Sequence, residues 1–517
     1  MKKIISVIVA CGVMLFTLPS CSLDYFPNNQ VDDSTGVTSV PELRAAMNGV
    51  YFNMRMTTGW GRHVLVLPEF VSDAANVFGA SANWYFQMEQ GTYIEGASEL
   101  IETWMRLYRT IRDAVTVIRG AEFLLADPVL TPTPALVNEV NSLLSAALAV
   151  RALCHFKLAQ FFSPAYISDD NARNQLGVVL IGDEFQNPGM PAQRATLYET
   201  FVHILADLDR ALALGNPVTR TSHFLTQNGV YAIQARVFLY MGRYAAAAAA
   251  AQQAIAMSGT LATTSAEILA QFHTTSPTSE DILSLFAGTG AENLGVNSLF
   301  VMFNAAGVGT TYGGRLSPLA FRKFHEDDIR LALYTPCLFA GPIADGATWT
   351  SHTGEVIDFT GLYAGYVTSK FHGTGTQGQM KTPILRLPEQ YLINAEALFR
   401  TGNRAGSQAA LLPIASRNPN ITDAVLTAMT DEEYLQFIWD ERARELALEG
   451  FRLFDLKRTG QVISRPGLYF GFRAPWAAWT NIQDHAFPIP LAEVTANPTI
   501  QRNENWLEVS PPVILAQ

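Results

Sequence analysis

Apolar residues recur every three to four positions over most of this chain, and stripes of that kind predict a mainly α protein. Pro41 opens the first, with Leu43, Met47, Val50, Tyr51 and Met54 along one side. Ser98 to Phe123 carries Leu100, Ile101, Trp104, Leu107, Tyr108, Ile111, Val115 and Ile118 at the same spacing, a long helix with Trp104 in the core. Leu136 to Phe162 is a second long helix. Gln227 to Met257 holds two helical stretches around Gly242, with small residues from Ala245 to Ala251 that allow close packing. Tyr391 to Arg417 repeats this layout and breaks at Thr401, Gly402 and Asn403. Hairpins of this tetratricopeptide type cannot bury their faces alone, so they should stack with the two long helices into a solenoid-like scaffold.

Between Ser276 and Pro383 glycine, threonine and aromatic residues replace the stripes. Ile282 to Phe286 and Leu299 to Phe303 read as short strands there, and Pro318 to Phe324 as a short helix. The tail from Ile463 to Gln517 is equally irregular. Helices flank the irregular region on both sides, which predicts one globular unit over residues 41–517. Its helical scaffold covers mainly 41–275 and 384–460, and a loop-rich, ligand-facing lobe with short β-strands covers mainly 276–383 and 461–517.

The densest charge lies in Trp439 to Arg458, WDERARELALEGFRLFDLKR. Ala443, Leu446, Ala447, Gly450 and Phe451 form an apolar stripe, so the stretch reads as one amphipathic helix. Glu441, Glu445 and Glu449 stack at four-residue spacing and repel one another unless arginines intervene, a part Arg442, Arg444 and Arg452 can take. With neither His nor Cys nearby, an ion-pair network is expected rather than a catalytic or metal site.

The 517 residues, 49% of them hydrophobic and 11% aromatic, suffice for a large core. The formal charge is -11, which speaks against nucleic acid as a partner. Lys2 and Lys3, an apolar run from Ile4 to Phe16 and Leu18-Pro19-Ser20-Cys21 read as a leader over residues 1–20. A cysteine after a small residue at the cut resembles a lipobox, so Cys21 is expected to carry lipid. Residues 21–40, rich in Asn, Asp, Ser and Thr, suit a flexible tether. Cys154 and Cys337 remain, too few for a disulfide framework. Their spacing leaves a single bridge open, although Cys154 on a helical pattern reads as a small buried hydrophobe.

Gly373-Thr-Gly375-Thr-Gln-Gly378 has the letters of a dinucleotide fingerprint, but an extended KTPILRL follows where a helix is required, so it is read as a loop. The chain has no Walker A loop, no HExxH and no GxSxG, and its nine histidines are scattered. No cofactor or metal is expected. Two carboxylates placed by the fold would suffice for a glycosidase, and the residues alone leave that open. Sugar binding without catalysis needs aromatic faces and amides on loops. Asn83, Trp84, Tyr85, Tyr312, Trp349, Trp476 and Trp479 are the candidates least explained by helical packing.

The charged stretch also resembles the C-terminal signature of the SusD/RagB family in Glu441, Arg442, Arg444, Glu445, Leu446, Glu449, Gly450, Arg452, Asp455, Leu456 and Arg458. Ala443 stands for a usual arginine and Phe451 for a usual histidine. Further likeness runs through W-x-x-L-Y-x-x-I at Trp104, R-A-x-x-x-F-x-L at Arg151, RATLYETFVHILADLDRA from Arg194, and the closing FPIPLAEVTANPTIQRNENW that ends at Trp506. The resemblance implies a SusD-like fold and an outer-membrane, cell-surface lipoprotein that binds ligand without transforming it. It implies capture of oligo- or polysaccharide, or peptide in a RagB-like branch, and delivery to a SusC-like TonB-dependent transporter. A secreted hydrolase and an adaptor that uses only its repeat surface are the readings from other classes.

Overall fold

Several helices of this protein begin where a capping side chain precedes an apolar stripe. Its computed structural model describes residues 36–77, 85–183, 191–216, 224–303, 313–337, 343, 346, 348–350, 356–363, 365–465 and 476–503. Residues 1–35, which hold the expected leader, Cys21 and most of the expected tether, and Trp506 lie outside them. In the first half the chain forms α1 (Val40–Arg55), α2 (His63–Val71), β1 (Ala75–Val77), α3 (Phe86–Gln90), α4 (Ser98–Ala126) and α5 (Pro134–Phe162). It continues through α6 (Asp169–Arg173), α7 (Leu197–Leu214), α8 (Gln227–Tyr240), α9 (Tyr244–Ala256) and α10 (Ser265–Phe272). Thr133 caps α5 by accepting the Leu136 N–H, and Thr196 with Glu199 closes a capping box on α7.

The lobe follows as β2 (Asp281–Ala287), α11 (Leu299–Phe303), β3 (Gly314–Leu316), α12 (Pro318–Phe321), β4 (Tyr334–Pro336), β5 (Thr348–Thr350), β6 (Val356–Asp358), β7 (Tyr366–Thr368) and β8 (Met380–Arg386). The last part is α13 (Leu387–Arg400), α14 (Arg404–Ala415), α15 (Asp423–Ala428), α16 (Asp431–Glu445), α17 (Arg452–Thr459), β9 (Ile463–Arg465), β10 (Trp476–Trp479) and α18 (Leu491–Ala496).

Helix neighbours in space are α1 and α4, α4 and α5, α5 and α7, α7 and α8, then α8 and α9. The fold is mainly helical, as the stripes predict. Both hairpins form, α8/α9 around Gly242 and α13/α14 around Gly402, and they stack although the whole lobe separates them in sequence. Small side chains explain the close fit: Ala235, Ala247, Ala250 and Ala251 pack with Leu239, Ile393 and Ala397 in one buried cluster. The main core runs from Val37 to Ile500.

Two expectations change. Leu299 to Phe303 is a helix, not a strand; all five residues are buried, and the Ser298 hydroxyl accepts the Val301 N–H at its start. A short apolar run buried on every side carries no periodicity to separate the two states. Second, Trp439 to Arg458 is not one helix. It breaks between α16 and α17, with Leu448 at φ 67° and Gly450 at φ 82°. A Cβ on Gly450 would lie 2.9 Å from the Leu65 Cα and the Val64 oxygen of α2, so only glycine fits. Cys154 is the small buried hydrophobe its helical pattern suggests, and it and Cys337, also buried, are both free.

Four strands form an antiparallel sheet in the order β1-β3-β7-β4, while β2 pairs with β8, β5 with β6 and β9 with β10. Gly373, Gly375 and Gly378 all take positive φ in a loop that leads into β8. The loop reading of that glycine motif stands.

Candidate functional site

The conspicuous charges hold the scaffold and lobe together. Glu445 on α16 accepts from Arg330 at 3.2 Å, Arg386 at 3.1 Å and Arg417 at 2.6 Å. Glu449 pairs with Lys370 at 2.7 Å and with Arg386 at 2.7 Å, and Glu441 pairs with Arg330 and Arg444, both at 2.6 Å. Arg386 and Arg417 share Glu280 as a further partner. Burial pushes the Glu445 carboxyl up, but Arg417, Arg386, Arg330 and Lys370 outweigh it and hold its pKa well below the usual range. The expected network exists, yet most of its cations come from the lobe and the end of α14. Arg442 turns instead to Asp455, and Arg452 to Asp73. Such ions are fixed, mutually neutralised and out of solvent, which suits bracing and not proton transfer.

Behind them, the buried carboxylate of Glu69 on α2 accepts backbone N–H groups from Leu448 at 3.2 Å, Gly450 at 2.9 Å, Phe451 at 2.9 Å and Arg452 at 3.3 Å. It caps the start of α17 and fixes α2, whose continuation is β1. Burial pushes its pKa up to about 7 against the pull of those donors.

On this brace, roots of segments far apart in sequence meet around β1. Val77 pairs with Gly314, and its N–H donates to the Glu89 Oε1 at 3.2 Å. Arg465, at the end of β9, donates to the Glu89 carbonyl at 2.7 Å and the Ala75 carbonyl at 3.0 Å. Gly365 lies so close to the Arg315 side chain of β3 that an added Cβ would fall 2.8 Å from it. The Cys337 N–H donates to the Gly365 carbonyl at 3.0 Å. Val77 leads into residues 78–84, Gly313 follows 304–312, Cys337 and Gly365 bracket the β5–β6 hairpin, and Arg465 leads into 466–475.

Asn83, Trp84 and Tyr312 lie outside the described residues. Trp349 stands in β5 across from Ile357, and Trp476 in β10 across from Arg465. The remaining two candidates are corrected by burial. Tyr85, 1% exposed, packs edge-on to His63 at 5.7 Å and against Phe70 at 5.4 Å. Trp479, 0% exposed, lies edge-on to His485 at 4.9 Å. Both are core aromatics with no face left for a ligand. Trp104 is buried as expected, its indole N–H donating to Glu493 at 3.2 Å. Sequence reasoning missed the frame residues Glu89, Arg315 and Arg465, which no local pattern marks. Among the described residues the grouping nearest to a metal-ligand set is His325, Glu326 and Asp327, three consecutive exposed side chains.

Two family models match the chain: the SusD family over residues 347–506, and a family described as starch-binding and associating with the outer membrane over residues 27–239. The starch-binding protein SusD of Bacteroides thetaiotaomicron is 32% identical over 126 residues, which are 24% of this chain and 21% of that protein. SusD-like protein P2 of Formosa agariphila is 23% identical over 534 residues, 95% of this chain and 97% of that protein. Among solved structures, a SusD superfamily protein from Bacteroides thetaiotaomicron superposes with a TM-score of 0.74 at 22% identity, covering 90% of this chain and 99% of its own. A laminarin-binding SusD-like protein gives 0.66 at 20% identity, covering 90% and 99%. These likenesses establish the fold.

Proposed function

We propose that this chain, which belongs to the SusD-like family, is a cell-surface glycan-capture protein of the outer membrane that binds oligo- or polysaccharide without cleaving it. The observation that carries the reading is the convergence at β1. Segments bearing Asn83, Trp84, Tyr312, Trp349 and Trp476 are rooted within one small sheet and its neighbours, on a frame locked by buried ions. Aromatic faces held on a rigid frame suit the apolar sides of pyranose rings, and amides serve the hydroxyls. The family's starch-binding, outer-membrane description and the laminarin-binding neighbour support glycan as the ligand class. Lipid at Cys21 supplies the anchor in this reading, and a SusC-like TonB-dependent transporter receives the captured glycan.

Titration calorimetry of the purified protein against neutral and charged glycans and mixed peptides tests it. Saturable glycan binding is expected, with at least tenfold weaker binding in Trp84→Ala, Trp349→Ala or Trp476→Ala and no release of reducing ends. Binding of peptides alone, or release of reducing ends, would overturn the reading.

A further inference from the structure

A second concave surface lies away from β1, between the turn after α1, the exposed face of α4 and the short α18. It encloses about 620 Å³, within the range of roughly 300–1,000 Å³ typical of small-molecule sites, and is lined by Thr58, Trp104, Met105, Tyr108, Glu102 and Glu493 with three arginines. Arg106, Arg109 and Arg112 follow at three-residue steps, so they form one stripe about 9 Å long on the helix.

Like charges at that spacing repel, and the carboxylates near them, Glu102 and Glu493 in the lining and Asp113 beside it, answer part of that charge. Arg106 is tied down, its Nε donating to the Thr58 hydroxyl at 2.8 Å and an Nη to the Asn53 amide oxygen. Asp113 is engaged by the Asn53 amide and lies 3.6 Å from Arg112, which stays 62% exposed. Arg109 is exposed and, among the described residues, makes no hydrogen bond or close ion pair, its charge felt by Asp113 only at longer range. Two guanidinium forks therefore face solvent in a chain of net charge -11. Between them and α18, exposed Met105 and half-buried Tyr108 supply an apolar floor over buried Trp104, with the Tyr108 hydroxyl already donating to the Val179 carbonyl at 3.0 Å. An apolar floor beside planar, bidentate donors fits a sugar ring that carries a carboxylate or sulfate.

We propose that this hollow is a subsite for a negatively charged sugar unit of a glycan chain, with Arg109 and Arg112 binding its anionic group. The inference rests on the glycan-capture reading and deepens it by naming a ligand class.

The test is calorimetry of the purified protein with oligogalacturonide, its methyl ester, a sulfated galactan oligosaccharide and a neutral gluco-oligosaccharide, each at 20 mM and 300 mM salt. Oligogalacturonide or the sulfated galactan should bind at least tenfold tighter than the uncharged ester, and the advantage should shrink with salt. Whichever binds names the anionic group. The double variant Arg109→Gln/Arg112→Gln, exposed and expected to fold, should lose that advantage and leave neutral binding unchanged. An equal loss in Arg44→Gln, an exposed arginine on α1, would mean bulk charge and overturn the subsite. Neutral binding with no anionic advantage overturns the subsite alone, whereas silence toward every glycan overturns the capture reading with it.

Discussion

Glu69 concentrates the energetics of the signature stretch in one side chain. Four backbone N–H groups, from Leu448, Gly450, Phe451 and Arg452, end on its carboxylate in a site closed to water. Each buried donor left unsatisfied costs about 1–3 kcal/mol. Glu69→Ala should therefore lower unfolding stability by about 3 kcal/mol or more, and Glu69→Gln, which keeps one acceptor oxygen, by about half as much. Urea denaturation reads both, and an alanine variant within about 0.5 kcal/mol of the parent would refute the capping role. Nothing in HVLVLPEFV marks this residue, because its partners lie some 380 positions away. The same limit applied to the aromatics. Tyr85 and Trp479 sit in loop-like sequence as Trp84 and Trp476 do, and only tertiary packing shows that the first pair is core.

Elements were legible where one pattern ran long enough. The long helices and both hairpins follow from stripes of many residues with turn signals at Gly242 and Gly402, and the alanine run of α9 foretold its close packing. That packing can be tested. Ala251 is buried in the cluster with Ile393 and Ala397, while Ala249, on the same helix, is exposed. Overpacking a tight interface costs about 1–3 kcal/mol, so Ala251→Leu should destabilise by that amount and Ala249→Leu by less than about 0.5 kcal/mol. Equal effects on thermal unfolding would mean that α9 and α13 do not meet through small residues. Where the pattern misled, a tertiary partner had overridden it. Periodicity continues through Leu446 to Phe451, yet the close approach of α2 to Gly450 and the Glu69 carboxylate turn the chain there. The roots that gather at β1 were illegible for a related reason, since Val77, Gly314, Gly365 and Arg465 meet only through strand pairing and side-chain reach across hundreds of residues.

For the whole molecule, the buried ionisable groups together set a pH dependence whose sign can be worked out. His63, His155 and His485 are held neutral by burial, the pKa of His63 at about 3 and those of the other two well below 6.5. An unfolded chain protonates all three as pH falls below about 6.5, the folded one refuses, and stability drops by about 1.4 kcal/mol per unit for each. Glu69 works the other way. With a folded pKa of about 7 against an ordinary 4.5, it takes up a proton in the native state between those values and stabilises it as pH falls. The network carboxylates, Glu445, Asp455 and Glu396 among them, are shifted down and lose their pairing only below about pH 4.5. Lys157 and Lys457, lowered by burial to about 7, act between there and their ordinary 10.5. Between pH 6.5 and 5.5 three imidazoles thus oppose one carboxyl, and unfolding free energy should fall by about 2–3 kcal/mol. Urea melts at half-unit pH steps decide this: a flat or rising curve across that window would show that the imidazoles reach solvent or accept protons in the native state, and so that the core around them is wetter than the packing implies.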